Sequence, residues 1–406
     1  MRLLAVSDIH IGRIPATPVG HADATSRGAW DAVVRCAIDR KVDAVLLAGD
    51  VVQGENAYFE GFGPLREGLE SLEREGIRVF GVAGNHDPAV FARIARTCPQ
   101  VKLLGLDGNW EWTDFQGLRI YGWSFKDSHF QGDPLATFDP PPPATPWLGL
   151  LHCDLDGPAH SRYAPVSSQA LARTGGDWVL GHIHAGGPGK YQRAWYCGSP
   201  FALDPGEEGP HGAWLITLTL DGGVMERERI PLSPWKFRTL EVALDQVATA
   251  AQAGERIAAA LLAAAGEEAP AFQGDLYCSL VFRGRTPLAG RLVAALDSGD
   301  DGLTRLVVPC SGVFARITRR TVDATLPDLK LEALATQRGP KGSLARLILQ
   351  ARTPGSGLEE MPGLLEEARD WCRDPDFAQV DPAEIVLLAA NRLLHAAAGQ
   401  AQGNEP

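Results

Sequence analysis

The stretch Val79-Phe80-Gly81-Val82-Ala83-Gly84-Asn85-His86-Asp87 joins a short apolar run to the polar cluster that ends it. Apolar residues of strand character bounded by glycine read as a β-strand, so the polar residues fall at its C-terminal end. The same arrangement occurs twice upstream, where Leu3 to Val6 leads into Asp8-Ile9-His10 and Ala44 to Leu47 leads into Gly49-Asp50. Helix-length segments, Ala29 to Arg40 and Gly63 to Glu75, lie between these runs. The start therefore reads βαβαβ, which predicts an α/β sheet with its polar clusters gathered at strand C-terminal ends. Two later strands, Trp147 to Leu151 and Trp178 to Leu180, end in His152 and in Gly181-His182-Ile183-His184.

Residues two apart in an extended segment share a face, so Asp8 and His10 can grip one cation, and His182 and His184 can reach a common site. Asp8, His10, Asp50, Asn85, His152, His182 and His184 together supply seven donors, enough for two metals. Carboxylate and amide oxygens mixed with imidazoles suit Mn²⁺, Fe²⁺ or Zn²⁺, while the lack of a thiolate in the set disfavours a structural zinc. Histidine placement agrees: nine of the ten lie at or before His211 and only His395 follows, so titratable chemistry is concentrated in the first half.

Composition limits the rest. The chain has 406 residues, 45% apolar and 22% charged, as an ordinary globular protein of two to three domains has. The longest smooth apolar stretch, Ile257 to Ala265, is far short of the roughly 20 residues that cross a bilayer, and Asp8 interrupts the N-terminal run before it could act as a signal peptide. A cytoplasmic protein without a membrane association is expected. Seven cysteines (36, 98, 153, 197, 278, 310 and 372) without a CxxC pair read as reduced core residues. A net charge of −12 leaves no long-range basic field, so any contact with nucleic acid must come from a local patch.

Beyond the metal histidines, Ala213 to Leu220 and Val224 to Ile230 read as a closing hairpin, and Ser233-Pro234 marks a boundary. Three domains are expected: 1–232, an α+β domain over 233–329, and a helical region over 330–406. Within the second, Leu240 to Ala265 is helical in period, and Leu276 to Phe282, Arg291 to Leu296 and Val313 to Thr318 are strands or short helices. Its Arg283, Arg285, Arg291, Arg305, Arg316, Arg319 and Arg320 offer forks that suit phosphate contacts, and equally read as the solvated face of strands. The last region ends in a helix capped by Asp381, Pro382 and Glu384 and running from Ile385 to Ala398, so apolar that it must be buried within the chain or against a partner.

Taken in order, Asp-x-His, Gly-Asp, Gly-Asn-His-Asp, His and Gly-His-x-His resemble the signature of the calcineurin-like metallophosphoesterases over about residues 1 to 230. That resemblance implies a two-sheet sandwich flanked by helices. It implies that Asp8, His10, Asp50 and His184 hold one metal and Asp50, Asn85, His152 and His182 the other, with Asp50 bridging. His86 is then a catalytic residue that approaches the phosphate without holding a metal, and Asp87 orients it. The cofactors implied are two divalent ions, Mn²⁺ first, with Mg²⁺, Fe²⁺ and Zn²⁺ as the other candidates.

Gly49-Asp50-Val51-Val52, Gly198-Ser199-Pro200 and the α+β segment after Trp235 are similar to the SbcD and YhaO branch, which contains DNA-repair exonucleases. Membership there implies a capping domain over a nuclease site, DNA as substrate, and C-terminal helices that engage an SbcC-like SMC-type ATPase or a second copy in a homodimer. Metal-dependent hydrolysis of nucleotides or another small phosphodiester, and a non-catalytic scaffold, are the competing readings. The chain departs from its relatives at Gln53, where some carry a histidine, and at Cys153, where glycine is common.

Overall fold

The computed structural model describes residues 1–14, 25–142, 145–158, 160–219, 224–286, 288, 306–326, 331–351, 389–390 and 393–394. The chain divides into two compact units, Met1–Arg238 with Ala271–Tyr277, and Thr239–Pro270 with Cys278–Pro406.

The first unit is an α/β sandwich of two six-stranded sheets. One sheet has the order Val224–Pro231, Gly212–Leu218, Arg2–Val6, Ala44–Ala48, Arg78–Val82 and Val101–Leu103. Its last four strands are parallel, and the hairpin of Gly212–Leu218 and Val224–Pro231 adds antiparallel to Arg2–Val6. The other sheet has the order Gly187–Pro188, Ala194–Tyr196, Asp177–Gly181, Trp147–His152, Leu118–Trp123 and Trp110–Phe115. Here Asp177–Gly181, Trp147–His152 and Leu118–Trp123 run parallel.

Alternation along each strand builds the layers. Leu3, Ala5, Leu46, Phe80 and Val82 meet Ile120, Leu150, Val179 and Trp195 between the sheets. Leu4, Val6, Val45 and Leu47 face the other way, onto Trp30, Leu65, Leu69, Phe91 and Ile94. Those residues belong to the helices Ser26–Asp39, Tyr58–Arg74 and Pro88–Thr97. Ala44–Ala48 is buried at every position because both its faces are covered, and so its sequence is an unbroken apolar run. The second helix begins at Tyr58 rather than at Gly63: Tyr58 and Phe62, one turn apart, stack with ring centroids 5.7 Å from each other, and Pro64 is accommodated inside the helix.

A four-stranded sheet, whose first two strands begin in the first unit and end in the second, has the order Trp235–Ala243, Gly274–Arg285, Val313–Leu326 and Val307–Cys310. The segment expected as one helix from Leu240 is split. Leu240 and Val242 are buried while Glu241 and Ala243 are exposed, so a period of two keeps this part in the strand. The helix is Ala250–Glu268, opened by a capping box of Thr249 and Gln252, and it buries Ala253, Ile257, Leu261, Ala264 and Ala265. The expected strand at 291–296, with Arg291 and Arg305, lies outside the described residues, as do Cys372, His395 and the cap at 381–384. Of the last helix, Ala390 and Leu394 are buried in a cluster with Leu331, Ala345 and Ile348, while Leu393 is 61% exposed. Among the described residues no helix is long and apolar enough to cross a membrane.

Packing between the first two helices gives a stability test. A Cβ built on Gly68 would stand 2.3 Å from Nε1 of the fully buried Trp30, whose indole N–H donates to the Pro64 carbonyl at 3.0 Å. Replacing glycine by alanine within a helix gains about 1 kcal/mol from propensity, whereas overpacking a core costs about 1–3 kcal/mol. Because Trp30 is enclosed, Gly68→Ala is expected to lower the melting temperature. A rise on thermal unfolding would show that the indole can move aside.

Candidate metal centre

Every candidate donor sits at or just past the C-terminal end of a parallel strand. Asp8 and His10 follow Arg2–Val6, Asp50 follows Ala44–Ala48, and Asn85 and His86 follow Arg78–Val82. In the second sheet, His152 ends Trp147–His152, and His182 and His184 follow Asp177–Gly181. Since the sheets stack with these ends on one side, the loops converge where open α/β sheets place their ligands.

The convergence is fastened through backbone. Asp8 N–H donates to the Gly49 carbonyl (3.1 Å), His10 N–H to that of Asp50 (3.0 Å), and Cys153 N–H to that of Gly181 (3.2 Å). Asp8, His10, Asp50 and His182 all have positive φ, at 52°, 51°, 52° and 105°. Such conformations are uncommon outside glycine, though aspartate and histidine tolerate them best, and here they aim the side chains inward. Gly84 is required by close approach, because a Cβ there would come within 2.1 Å of Asp50 Oδ1.

The side chains form one cluster. Among the described residues, donor atoms of Asp8, His10 and His184, of His10, Asp50 and His86, and of Asp8, Asp50 and His152 each lie within 4.8 Å of one another. His152 Nδ1 lies 3.0 Å from the Ala48 carbonyl, which can only accept, so Nδ1 carries a proton and Nε2 is the nitrogen turned into the cluster. That Nε2 faces Asn85 Oδ1 at 3.1 Å and Asp50 Oδ2 at 3.3 Å. His10 Nε2 is 3.1 Å from His184 Nε2 and 3.8 Å from Asp50 Oδ2. His182 donates its backbone N–H to Asp8 at 3.2 Å, and its ring lies against those of His152 (5.3 Å between centroids) and Tyr163 (4.8 Å).

Electrostatics fits a cation centre. Burial pushes His10 and His182 down to about 3, so both are neutral and able to ligate. Burial also raises Asp8. Asp50 is held below the usual carboxylate range: burial opposes its charge, but the charge and hydrogen bond of His152 together with His10 and His86 outweigh it. His152 would be lowered by burial, yet Asp50 and then Asp8 drive it up to about 9. Two buried carboxylates thus draw positive charge into their midst, and among the described residues the buried Nδ1 of His10 has no hydrogen-bond partner. Divalent cations would satisfy both demands with donor types they prefer.

Several expectations change on contact with the geometry. Asp87 does not orient His86, since both its oxygens are engaged by backbone. One accepts the N–H of Val51 (2.7 Å) and Val52 (3.2 Å), the other that of Gly84 (2.7 Å). Burial, then the charge of Asp50, pushes Asp87 up to about 7. His86 is exposed, and by distance alone it could serve as a donor beside His10 and Asp50; its backbone N–H binds Asp50 Oδ1 at 2.9 Å. Gln53 lines an open groove of about 330 Å³ with Gly12, Gly54, Glu55, Asn56, Ala57 and Glu60. Cys153 is fully buried, and burial pushes its thiol up, which leaves it inert. Glu207 escaped the sequence reading although its Oε1 lies 2.6 Å from His184 Nδ1, because nothing in the spacing of Gly198 to Glu207 signals the contact.

Residues 1–200 match the family model of the calcineurin-like phosphoesterases. The uncharacterized metallophosphoesterase YhaO of Bacillus subtilis (strain 168) is 26% identical over 225 residues, which cover 52% of this chain and 54% of that protein. The chain thus matches about half the length of that curated relative. Global likeness to solved structures is low. A dimetal phosphatase from Danio rerio gives 13% identity and a TM-score of 0.36 over 57% of this chain and 99% of that one. A nuclease, MPE, from Pseudomonas putida gives 13% and 0.25 over 55% and 86%. The family match and the YhaO relationship both support a calcineurin-like metallophosphoesterase relationship for the first 200 residues, a superfamily whose members use a dinuclear metal centre.

Two substitutions test the cluster. Asp50→Asn should abolish metal binding at both positions without unfolding the domain, a larger loss than any single-site donor causes; metal content by atomic emission that stays within twofold would refute the bridging role. His86→Ala should keep its metals and lose about 10² to 10⁴ in rate, the usual contribution of a general acid. Loss of a metal from that variant would move His86 into the ligand set.

Proposed function

We propose that this chain, a metallophosphoesterase in its first 200 residues, is a two-metal phosphodiesterase that cleaves DNA. The observation that carries the hydrolytic part is the convergence of Asp8, His10, Asp50, Asn85, His152, His182 and His184 at the strand ends, with His86 exposed beside them. Asp8, His10, Asp50 and His184 would hold one cation, and Asp50, Asn85, His152 and His182 the other. When bound, the pair lowers the pKa of water and neutralises phosphate oxygens during in-line attack. His86 is placed to protonate the leaving oxygen or to donate a hydrogen bond where charge develops.

DNA as the substrate is supported by the likeness of Gly49-Asp50-Val51-Val52 and Gly198-Ser199-Pro200 to the SbcD and YhaO branch, and by the α+β unit that follows the hydrolase region. In this reading that unit caps the site, and the helical region after about residue 330 docks on an SMC-type ATPase or on a second copy. Mn²⁺ is the preferred metal and the cytoplasm the place of action. Of the arginines offered for phosphate contact, Arg283 is paired with Glu241 at 2.9 Å.

Metal-stripped protein is to be incubated with labelled single- and double-stranded DNA and with bis(p-nitrophenyl) phosphate, each with Mn²⁺ or Mg²⁺. Metal-dependent cleavage of DNA is expected. Turnover of the small diester alone would favour a nucleotide or small-phosphodiester hydrolase, and no turnover at all would favour a scaffold. Removing the residues after about 330 should leave metal content and small-diester turnover intact, because all the donors lie before His211. Loss of either on truncation would mean that the helical end stabilises the hydrolase region.

A further inference from the structure

We infer that Glu207 is the positioning residue of the centre, holding His184 in the one tautomer and orientation that let it serve the cation shared with Asp8 and His10. The inference rests on the two-metal reading above and adds a residue to it. Its basis is the 2.6 Å contact between Glu207 Oε1 and His184 Nδ1. A carboxylate can only accept, so the proton is fixed on Nδ1 and the lone pair on Nε2. That Nε2 faces inward, 3.1 Å from His10 Nε2 and 3.9 Å from Asp8 Oδ1.

Glu207 is itself built in. Its second oxygen accepts the Leu203 N–H at 2.7 Å, and its own N–H donates to the Asp204 carbonyl at 2.9 Å. The Glu207 carbonyl lies 3.2 Å from Nε2 of buried His211, whose Nδ1 lies 2.8 Å from the Ser199 hydroxyl and 3.2 Å from the Ser199 carbonyl. Ser199 in turn donates its N–H to the His184 carbonyl at 3.0 Å, closing the loop on the ligand it began from. Arg13, three residues past His10, ion-pairs with Asp204 and ties the same loop to the first strand's end. Among the described residues nothing comparable touches the ring nitrogens of His182. The two cations therefore differ in support: one relies on Glu207, the other on the Ala48 carbonyl behind His152.

Carboxylates behind metal-binding histidines typically contribute about 10- to 100-fold in metal affinity. Titration calorimetry with Mn²⁺ should show two sites in the wild type. In Glu207→Gln one of them should weaken about 10- to 100-fold while the other keeps its affinity. Equal affinities in variant and wild type, with both proteins folded by circular dichroism, would overturn the role of Glu207. A wild type that binds no metal would overturn the two-metal reading instead. If the variant does not fold, ¹⁵N-histidine spectra of the Zn²⁺-loaded wild type, with His184 assigned by its loss in His184→Gln, decide the question. A proton on Nδ1 is expected, and a proton on Nε2 would overturn the inference.

Discussion

A single buried carboxylate ties together the ends of two strands. Asp87 accepts three backbone N–H groups, two from the turn after Ala44–Ala48 and one from the turn after Arg78–Val82. Without it those donors would be buried and unpaired, each at a cost of about 1–3 kcal/mol. More is at stake than stability, because the same turns carry Asp50 and Asn85. The His86 N–H to Asp50 contact runs parallel to this clamp and locks the bridging candidate from the other side. The acidic centre thus rests on backbone that has no freedom to relax, which is what metal sites need if donors are to meet an ion without rearrangement.

Much of this was legible from pattern. Apolar runs buried on both faces read directly as parallel strands, and the polar cluster after each run supplied the candidate donors, because a parallel sheet sends all its C-terminal ends the same way. Reading failed where one period masked another. Leu240 to Ala243 looked continuous with an alanine-rich helix, but Glu241 between two buried aliphatics kept it in a sheet. Tyr58 extended its helix by a contact one turn away that composition around Gly61 and Gly63 concealed.

Roles were harder to read than positions. Asp87 follows His86 in sequence, which invited a pairing between them, yet its carboxylate turns inward to backbone that lies more than thirty residues upstream. Glu207 is a glutamate in a glycine- and proline-rich loop, like many on a surface, and only the return of that loop toward Arg13 and His184 gives it a task. Adjacency along the chain says little about partners when the partner is a main-chain amide or a ring on another strand.

The left-handed backbone at Asp8, His10, Asp50 and His182 bears on how such a protein can change over time. Strain of this kind costs on the order of 1–3 kcal/mol per residue and persists only where the surroundings enforce it. Glycine adopts these torsions freely, and asparagine tolerates them, so the replacements that best relieve the backbone are ones that discard an imidazole or a carboxylate. A lineage selected for robustness alone would drift toward a sturdier, inert sandwich. Asp8, His10, Asp50 and His182 are held at torsions that glycine would relieve, so robustness and the donor set pull in opposite directions at these four positions.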